Sequence, residues 1–331
     1  MFIVNNKNFF LGLSAVLVAL SIFSVWNYGL KKSIDFTGGA KVVFDVAGTN
    51  YFGYPDESTI APANLWKFRQ DKARGLNKTE YFAPAPTQEE IRESLVKNFG
   101  EIKINSLGTS TYEAYLRDLK EEDYAKLETA LKPNASSTVT VKSFSMTGPT
   151  ISSEIVKSAI WGIILVVLAI ILFIWFSFRS VSHPVASYKY GLITIVTLLH
   201  DIIIPVGVFA WLGHAYGVEV DSLFVVALLT IFGISIADKI VVFDRIRENL
   251  KTGSKNATFT ETVGKSLTQT LVRSVATSAA VIIVLLSLVF YGPDSTKYFA
   301  LTLTIGMFFG TYSSIFVASP LLVYVSKYWK N

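Results

Sequence analysis

The stretch SLFVVALLTIFGISIADKIVVFDRIREN, Ser222 to Asn249, begins as a continuous apolar segment and ends in a charged motif. A helix of roughly 20 apolar residues, rising ~1.5 Å per residue, crosses the ~30 Å hydrocarbon core of a bilayer. The stretch therefore predicts a membrane-spanning helix from Ser222 to Phe243. It also places Asp238 and Lys239 inside that helix, where charged side chains are costly and are candidates for a functional role.

Five other segments have the length and composition of membrane-spanning helices. They run from Phe9 to Trp26, Ala159 to Phe178, Gly191 to Leu212, Leu271 to Tyr291 and Tyr298 to Val325. Hydrophobic residues make up 51% of the chain, which agrees with an α-helical polytopic membrane protein. Lys7 before the first span is also typical of a signal peptide, but the length of that span and the absence of a small-residue cleavage site before Lys31 favour a retained anchor.

The distribution of Lys and Arg predicts the orientation, because basic residues accumulate in cytoplasmic loops. One side carries Lys7, Arg179, Lys189, Arg245, Arg247, Lys251, Lys255, Lys265, Arg273, Lys327 and Lys330. The short loops of the other side hold Lys297 beside Glu219, Asp221 and Asp294. Both termini are therefore predicted to be cytoplasmic. The net charge of +5 then reflects basic loops, and no nucleic-acid partner is expected.

The chain divides by composition into an anchor in residues 1–30, an extracytoplasmic domain in residues 31–153 and a five-helix bundle in residues 154–331. Residues 49–86, rich in Pro, Asn, Tyr and charge, are predicted to be an insertion between the first strand and helix that is partly ordered at best. Its aromatic residues could contact an unfolded chain or a partner protein, or they could pack against their own domain, which is the simpler interpretation. They are Tyr51, Phe52, Tyr54, Trp66, Phe68, Tyr81 and Phe82.

The extracytoplasmic domain is predicted to be a small α+β fold. Apolar and polar residues alternate in AKVVFDVAG, Ala40 to Gly48, which is typical of a strand. Thr87 and Glu90 have capping-box spacing and open an amphipathic helix that stops at Gly100. The segments EIKINSLG, STYEAYLRDL, KEEDYAKLETAL and STVTVKSF follow as strand, strand, helix and strand. This order predicts a ferredoxin-like sandwich.

The sequence contains no constellation of residues for catalysis or for binding a metal or cofactor, so neither an enzyme nor a cofactor is predicted. Cysteine is absent, and the three histidines, His183, His200 and His214, fall at different depths. VGKS lacks the first glycine of a P-loop, because that position is Phe259. Asp201 and Asp238 also lack the Gly-x-Gly-Asp context expected of an intramembrane aspartyl protease.

Asp201 lies near the middle of its predicted span and follows His200. Consecutive residues are about 100° apart around a helix, so the two side chains are not expected to share one narrow face. Two roles remain open for this pair, namely a structural hydrogen bond between helices and the movement of protons.

Asp238 lies about five residues, or ~8 Å, inside the charged end of its span. Its side chain is too short to reach the interface, so we expect it to take up and release a proton near neutral pH. Lys239 is expected to point elsewhere and to extend its ammonium to the interface. Arg273 opens the fifth span and either reaches a carboxylate or serves only as a cytoplasmic anchor.

Several motifs resemble those of the SecD and SecF family of protein-export membrane proteins. KSIDFTGGA, Lys32 to Ala40, resembles the signature that follows the family's first span, and TGPTISSEIVKSA resembles the entry to its second. ADKIVVFDRIREN together with SLTQTLVR resembles the SecF branch. The resemblance covers nearly the whole chain except residues 49–86. Ala237 and Lys239 depart from it, since the family has Asn and a small residue there, and the spacing to Arg273 is one residue longer.

The resemblance implies a fold related to the resistance-nodulation-division transporters, with SecD supplying the other half of a pseudo-twofold bundle in the bacterial cytoplasmic membrane. It implies that the proton-motive force helps to draw exported chains across after the SecYEG channel and the SecA ATPase have begun. The expected partners are SecD, SecYEG, the unfolded polypeptide and protons, with YajC and YidC as further candidates.

The resemblance also assigns roles to individual residues. It places the family's intramembrane aspartate on Asp238, the arginine of the next span on Arg273 and a histidine-aspartate pair on His200 and Asp201. A tight turn that ties the external domain to the membrane is implied for Asp35, Gly38 and Gly39. A charged cluster at the cytoplasmic helix end is implied for Asp244, Arg245, Arg247 and Glu248.

These observations lead to the hypothesis that Asp238 changes protonation next to Arg273 and a carboxylate of the partner subunit. The change would bias a rocking of the external domain that grips the emerging polypeptide. A proton-driven exporter of small molecules or lipids is an alternative, which transport into liposomes would reveal. A passive scaffold is another, and it would keep its function when Asp238 and Arg273 are neutralised.

Overall fold

The computed structural model describes residues 2–53, 64–76, 79–83, 86–100, 102–106, 110–116, 123–131, 137–178, 186–252 and 257–328. The chain divides into two compact units. The membrane unit comprises the residues up to Phe36 together with those from Ser153 onward. The other unit, Thr37–Ser152, is called the external unit after its predicted location.

The helices of the described residues are α1 (Phe2–Asn5), α2 (Lys7–Tyr28), α3 (Ile34–Thr37), α4 (Leu65–Ala73), α5 (Gln88–Phe99), α6 (Tyr124–Ala130), α7 (Pro149–Phe178), α8 (Ser187–Tyr216), α9 (Ser222–Thr252), α10 (Phe259–Tyr291), α11 (Asp294–Ser313) and α12 (Ser319–Tyr328). A π-helical turn, Ser314–Ala318, joins α11 to α12. The strands are β1 (Gly39–Gly53), β2 (Thr79–Ala83), β3 (Ile102–Ser106), β4 (Thr111–Leu116) and β5 (Ser137–Thr147).

Six helical segments of the described chain are long and apolar enough to cross a membrane, and each contains one of the predicted spans. The first five are α2, α7, α8, α9 and α10, and the sixth combines α11, the π-helical turn and α12. Helices α8, α9 and the sixth segment bury much of their surface, whereas α2, α7 and α10 leave most of theirs exposed. Apolar exposure of that kind suits contact with lipid or with another membrane protein.

Small residues bring two pairs of helices into close contact in the membrane unit. At Gly207 of α8, an added Cβ would lie 2.3 Å from Ser21 Cβ and 2.4 Å from Ser21 Cα of α2. Ser24 of α2 also donates a hydrogen bond to the Gly207 carbonyl at 2.8 Å. At Gly310 of α11, an added Cβ would lie 3.3 Å from the side chain of Ser235 of α9. Helix α8 is thereby held against α2, and α9 against α11.

The external unit confirms the ferredoxin-like prediction. Its sheet is antiparallel, with β1 paired to β4 on one side and to β5 on the other, and with β3 paired to β4. The order β5-β1-β4-β3 places the first and last strands of the motif side by side. Helices α5 and α6 contribute Ile91, Leu95 and Leu127 to a core with Val42 and Phe44 of β1.

Two polar features of the external unit follow from the sequence and its packing. The predicted capping box is present, because Thr87 Oγ1 accepts from the Glu90 amide at 3.3 Å and Glu90 Oε2 accepts from the Thr87 amide at 2.8 Å. Glu113 is 8% exposed and lies 2.5 Å from Lys41 Nζ. Burial acts to raise the pKa of Glu113, but hydrogen bonds and charge, chiefly from Lys41, outweigh it and hold the pKa below its ordinary value.

Within residues 49–86, which are predicted to be partly ordered at best, the structure contains the end of β1, helix α4 and strand β2. Strand β1 continues to Gly53, and its last five residues pair with β2. Tyr51 and Phe52 lie in this extension, where aromatic residues favour extended structure and override the turn-forming composition nearby. Trp66 in α4 is exposed, whereas Phe68 is partly buried. Tyr54 lies outside the described residues.

Candidate functional site

The interior of the membrane unit contains a buried ion pair between Asp201 of α8 and Lys239 of α9. Lys239 Nζ lies 2.6 Å from Asp201 Oδ2, and both side chains have no exposed surface. Ser235, one turn before Lys239 on α9, donates to Asp201 Oδ2 and accepts from Lys239 Nζ. Ser313 of α11 donates to the same carboxylate oxygen at 2.8 Å. Three helices are therefore joined through one carboxylate.

The prediction that Lys239 extends to the membrane interface is wrong. Its side chain is fully buried and is directed at Asp201 rather than along α9 towards the charged end. The reason is that α9 packs against both α8 and α11 at this level, so the flexible stem of Lys239 lies within the protein. The carboxylate of Asp201 then compensates the charge of the Lys239 ammonium, as water and lipid headgroups would at the interface.

His200 and Asp201 are bonded to each other, although consecutive residues do not share one narrow face of a helix. His200 Nδ1 lies 2.9 Å from Asp201 Oδ1, although the two residues are consecutive on α8. Rotation about the side-chain bonds brings the groups together even though their Cα–Cβ directions diverge. The imidazole ring also stacks on Tyr312 of α11, with ring centroids 6.4 Å apart. Among the described residues, His200 Nε2 is buried without a hydrogen-bond partner.

Asp238 lies on a different side of α9 and is partly buried at the edge of a cavity of about 280 Å³. Ser314, the first residue of the π-helical turn, donates to Asp238 Oδ2 at 2.6 Å. The other lining residues belong to α9, α10 and α11. They are Ile234, Ser235, Ala237, Val241, Arg273, Ser274, Thr277, Ser278, Val281, Met307, Gly310 and Thr311.

Arg273 of α10 lines the same cavity as Asp238, and its side chain is exposed. Within the described part of the chain, no ion pair joins the two groups. The cavity wall also carries hydroxyl groups, since Ser278 Oγ and Thr311 Oγ1 are 2.5 Å apart and Ser274 Oγ is buried with no partner among the described residues. The carboxyl of Asp238 and the guanidinium of Arg273 therefore line one cavity. In such an arrangement the negative charge of a carboxylate can be compensated either by a bound proton or by the guanidinium.

The two intramembrane aspartates are linked by neighbouring residues of the sixth span. Ser313 donates to Asp201, and Ser314 donates to Asp238. These serines stand where α11 ends and the π-helical turn begins. A π-helical turn inserted into an α-helix is rare and is frequent at functional sites. The sequence reasoning missed Ser313 and Ser314, and SS in an apolar segment was the only signal for them.

The charged end of α9 is held by ion pairs within the helix and by hydrogen bonds to α10. Asp244 pairs with Arg247 at 3.0 Å, and Arg245 pairs with Glu248 at 2.6 Å. Arg245 Nε also donates to Gln269 Oε1 of α10 at 2.8 Å. This cluster fixes the position from which α9 enters the bundle.

Asp35 connects the segment after α2 to the start of α9. Asp35 Oδ2 accepts from the amide of Ser222 at 2.9 Å and from its hydroxyl at 2.7 Å, so it satisfies the first amide of α9, while Asp221 caps the helix through the Phe224 amide at 2.8 Å. Gly38 and Gly39 follow with φ angles of 73° and 119°, which glycine adopts without a steric penalty.

Comparisons with known proteins give one consistent result. The model of the family "Protein export membrane protein SecD/SecF, C-terminal" matches residues 126–328. Protein translocase subunit SecF of Thermobaculum terrenum is 40% identical over 92% of this chain and 86% of its own length. SecF of Anaerolinea thermophila is 29% identical over 99% of this chain and 96% of its own length.

A structural comparison agrees with the comparisons of sequence. The crystal structure of SecDF from Thermus thermophilus, described as a translocon-associated membrane protein, superposes with a TM-score of 0.71 and 28% identity. The superposition covers 98% of this chain and 38% of that protein, so this chain spans about two fifths of the longer one.

Proposed function

The chain belongs to the SecD/SecF family of protein-export membrane proteins, and on that basis we propose that it is the SecF subunit of a SecD–SecF complex. It is a multi-pass membrane protein. In the proposed function, the complex uses the proton-motive force to assist translocation of unfolded polypeptides by the Sec pathway, without covalent chemistry of its own.

The observation that carries this proposal is the placement of Asp238 and Arg273 on one cavity of the membrane unit. A carboxyl that lines a cavity can exchange a proton with water that enters the cavity, whereas a fully enclosed carboxyl cannot. When Asp238 is charged, the Arg273 guanidinium and the Ser314 hydroxyl compensate it. When Asp238 is protonated, that compensation is no longer needed, and the balance of interactions among α9, α10 and α11 changes.

A SecD partner is supported by the fused SecDF relative and by the surface of the membrane unit. The Thermus thermophilus SecDF is 32% identical over 96% of this chain, which spans 37% of that protein. In this chain, α7 and α10 expose apolar side chains such as Trp161, Leu165, Val272 and Ile283. A second membrane bundle packed there would lie against α10, whose residues Arg273 and Ser274 line the Asp238 cavity, and would supply the neighbouring carboxylate.

The external unit would act on the translocating chain. The proposed orientation has both termini in the cytoplasm and the external unit on the opposite side, because basic residues concentrate at the end of α9, at the start of α10 and in the loop between them. The proposed partners are the SecYEG translocon, with YajC and YidC as further candidates. Proton exchange at Asp238 would bias the motion with which the external unit grips and releases polypeptide.

Export of a secreted reporter into inverted membrane vesicles tests the proposal. The vesicles contain SecYEG, SecA, ATP, SecD and either the native chain or the Asp238→Asn variant, with or without an imposed proton gradient. The gradient should stimulate export by the native chain and not by the variant, while both assemble equally with SecD. An equal response of the two chains would show that Asp238 is not in a proton path and would favour a passive scaffold.

A further inference from the structure

We propose that Lys239 and Asp201 form a permanent ion pair that positions Asp238, so that Asp238 exchanges protons while Asp201 stays charged. The pair is thus a positioning device for the proton site, and neither of its members is part of the proton path. The inference rests on the proposed function, because it assigns proton exchange to Asp238 and a positioning role to Asp201.

The hydrogen bonding of the pair is complete on both sides. Asp201 Oδ2 accepts from Lys239 at 2.6 Å, from Ser313 at 2.8 Å and from Ser235, while Asp201 Oδ1 accepts from His200 Nδ1 at 2.9 Å. Lys239 Nζ has three hydrogens, and its acceptors are Asp201 Oδ2, Ser235 Oγ and, at 3.5 Å, the Ser235 carbonyl. A carboxylate with four donors, one of them a cation, strongly favours its charged form.

The charge balance around the pair also argues against proton exchange there. A charged Asp201 can only accept, so its hydrogen bond with His200 places a proton on His200 Nδ1. Lys239 already compensates the single negative charge, so a second cation on the ring would be buried without a counter-charge. Tyr312 faces the ring of His200, and Arg273 lies on the other side of α9, at the cavity.

The pair determines the direction of Asp238 because Asp238 and Lys239 are neighbours on α9. Their side chains leave the helix about 100° apart. With Lys239 held against α8 and α11, Asp238 is turned towards α10 and the cavity. A rotation of α9 that moved Asp238 away from Arg273 would have to pull Lys239 from its buried partner.

A second link runs through the sixth span. Ser313 is bonded to Asp201, and the next residue, Ser314, is bonded to Asp238. The ion pair therefore also fixes the hydroxyl that compensates the charged form of Asp238. Both the carboxyl and its hydrogen-bond donor are held in place by the same buried pair.

The first test uses the native chain in complex with SecD in membranes. A hydrophobic carbodiimide modifies protonated carboxyl groups, and mass spectrometry locates the product. Between about pH 6 and pH 8, modification of Asp238 should exceed that of Asp201 by about tenfold or more, because four donors keep Asp201 charged. Comparable modification of the two residues would overturn the proposal.

The second test removes the charges singly and together, in the export assay described above. Lys239→Met and Asp201→Asn should each lower gradient-stimulated export by about tenfold, since each leaves a buried charge or its donors uncompensated. The double variant should recover the stimulation to within about threefold of the native chain. A double variant that assembles with SecD but does not respond to the gradient would place Asp201 in the proton path.

The same experiment separates failure of the pair from failure of the proposed function. Equal responses of the native chain and Asp238→Asn would refute the function, whatever the pair does. A native response that is lost in Asp238→Asn and also lost in a folded double variant would refute only the pair. Should the double variant not accumulate, the carbodiimide comparison on the native chain decides.

The third test compares Ser314→Thr with Ser314→Val, which have the same shape and differ by a hydroxyl. The pH profile of carbodiimide modification at Asp238 should stay native-like for Thr and move about one unit upward for Val, since a hydrogen bond to the charged carboxylate is lost. A purely structural role of Ser314 would affect both variants alike. Coincident profiles would therefore overturn its assignment as a positioning residue.

Discussion

Gly207→Ala is expected to destabilise the membrane unit through a clash that neither helix can avoid. The new Cβ would lie 2.3 Å from Ser21 Cβ and 2.4 Å from Ser21 Cα, so the contact involves backbone and not a movable side-chain end. Overpacking of this kind costs about 1–3 kcal/mol. Separation of α2 from α8 also breaks the bond from Ser24 to the Gly207 carbonyl, which is 2.8 Å long. That loss adds about 0.6 kcal/mol, the average for such bonds in a membrane protein.

Gly12→Ala is the matched control, because Gly12 lies in α2 and an added Cβ there meets nothing within 4 Å. Both substitutions change helix propensity in the same direction, so the difference between them isolates the contact. We expect a difference of about 2–4 kcal/mol in the free energy of unfolding, or roughly 30- to 700-fold in the equilibrium constant.

The assay is titration of the purified chain in mild detergent with sodium dodecyl sulfate, followed by tryptophan fluorescence. The midpoint should fall clearly for Gly207→Ala and should stay near the native value for Gly12→Ala. Equal midpoints for the two variants would mean that α2 does not approach α8 as closely as described, and the reasoning would be refuted.

Three further substitutions test other parts of the structure. Arg273→Gln should abolish the gradient response in the export assay while Arg273→Lys keeps part of it, and equal activity of the two would show that the charge of Arg273 is not needed. Asp35→Ala should lower the stability of the membrane unit by about 1 kcal/mol, because the amide and hydroxyl of Ser222 lose their acceptor, and the detergent titration measures this change. In the external unit, the depressed pKa of Glu113 contributes stability above its ordinary pKa that is lost as the pH falls through the lower folded value. Glu113→Gln should remove this dependence, as followed by hydrogen exchange of β4 corrected for intrinsic rates, and an unchanged dependence would assign it to another group.

Helices and strands were predictable from local sequence patterns wherever a single effect, such as hydrophobic length or strand alternation, dominates. Hydrophobic length alone located the spans, and strand alternation with the capping box at Thr87 gave the ferredoxin-like order. Residues 49–86 were harder, because Tyr51 and Phe52 favour a strand while the surrounding composition favours turns. Pairing with β2 decides between these tendencies, and such pairing is not visible in a local window.

The sequence marks candidate residues of the site, but it does not show which of their side chains are in contact. Asp201 and Asp238 can be identified from the sequence as functional candidates, because a charged side chain within a membrane span is costly and therefore rare. The partner of each depends on which helices are neighbours and how they are rotated. Lys239 was assigned to the interface because its stem is long enough to reach it, and only the packing of α9 between α8 and α11 shows that a carboxylate is nearer. Ser313 and Ser314 gain their roles from the π-helical turn, for which no sequence rule was available.

The buried ion pair also affects the order in which the chain enters the membrane during synthesis. Lys239 follows Asp201 by 38 residues. At ~5–20 residues per second, the ribosome needs roughly 2–8 s to supply the lysine after the aspartate. An α8 inserted alone would carry an uncompensated carboxylate into hydrocarbon during that interval. Insertion of α8 and α9 together, as a helical hairpin, avoids this cost, so the pair makes the two helices a single unit of biogenesis.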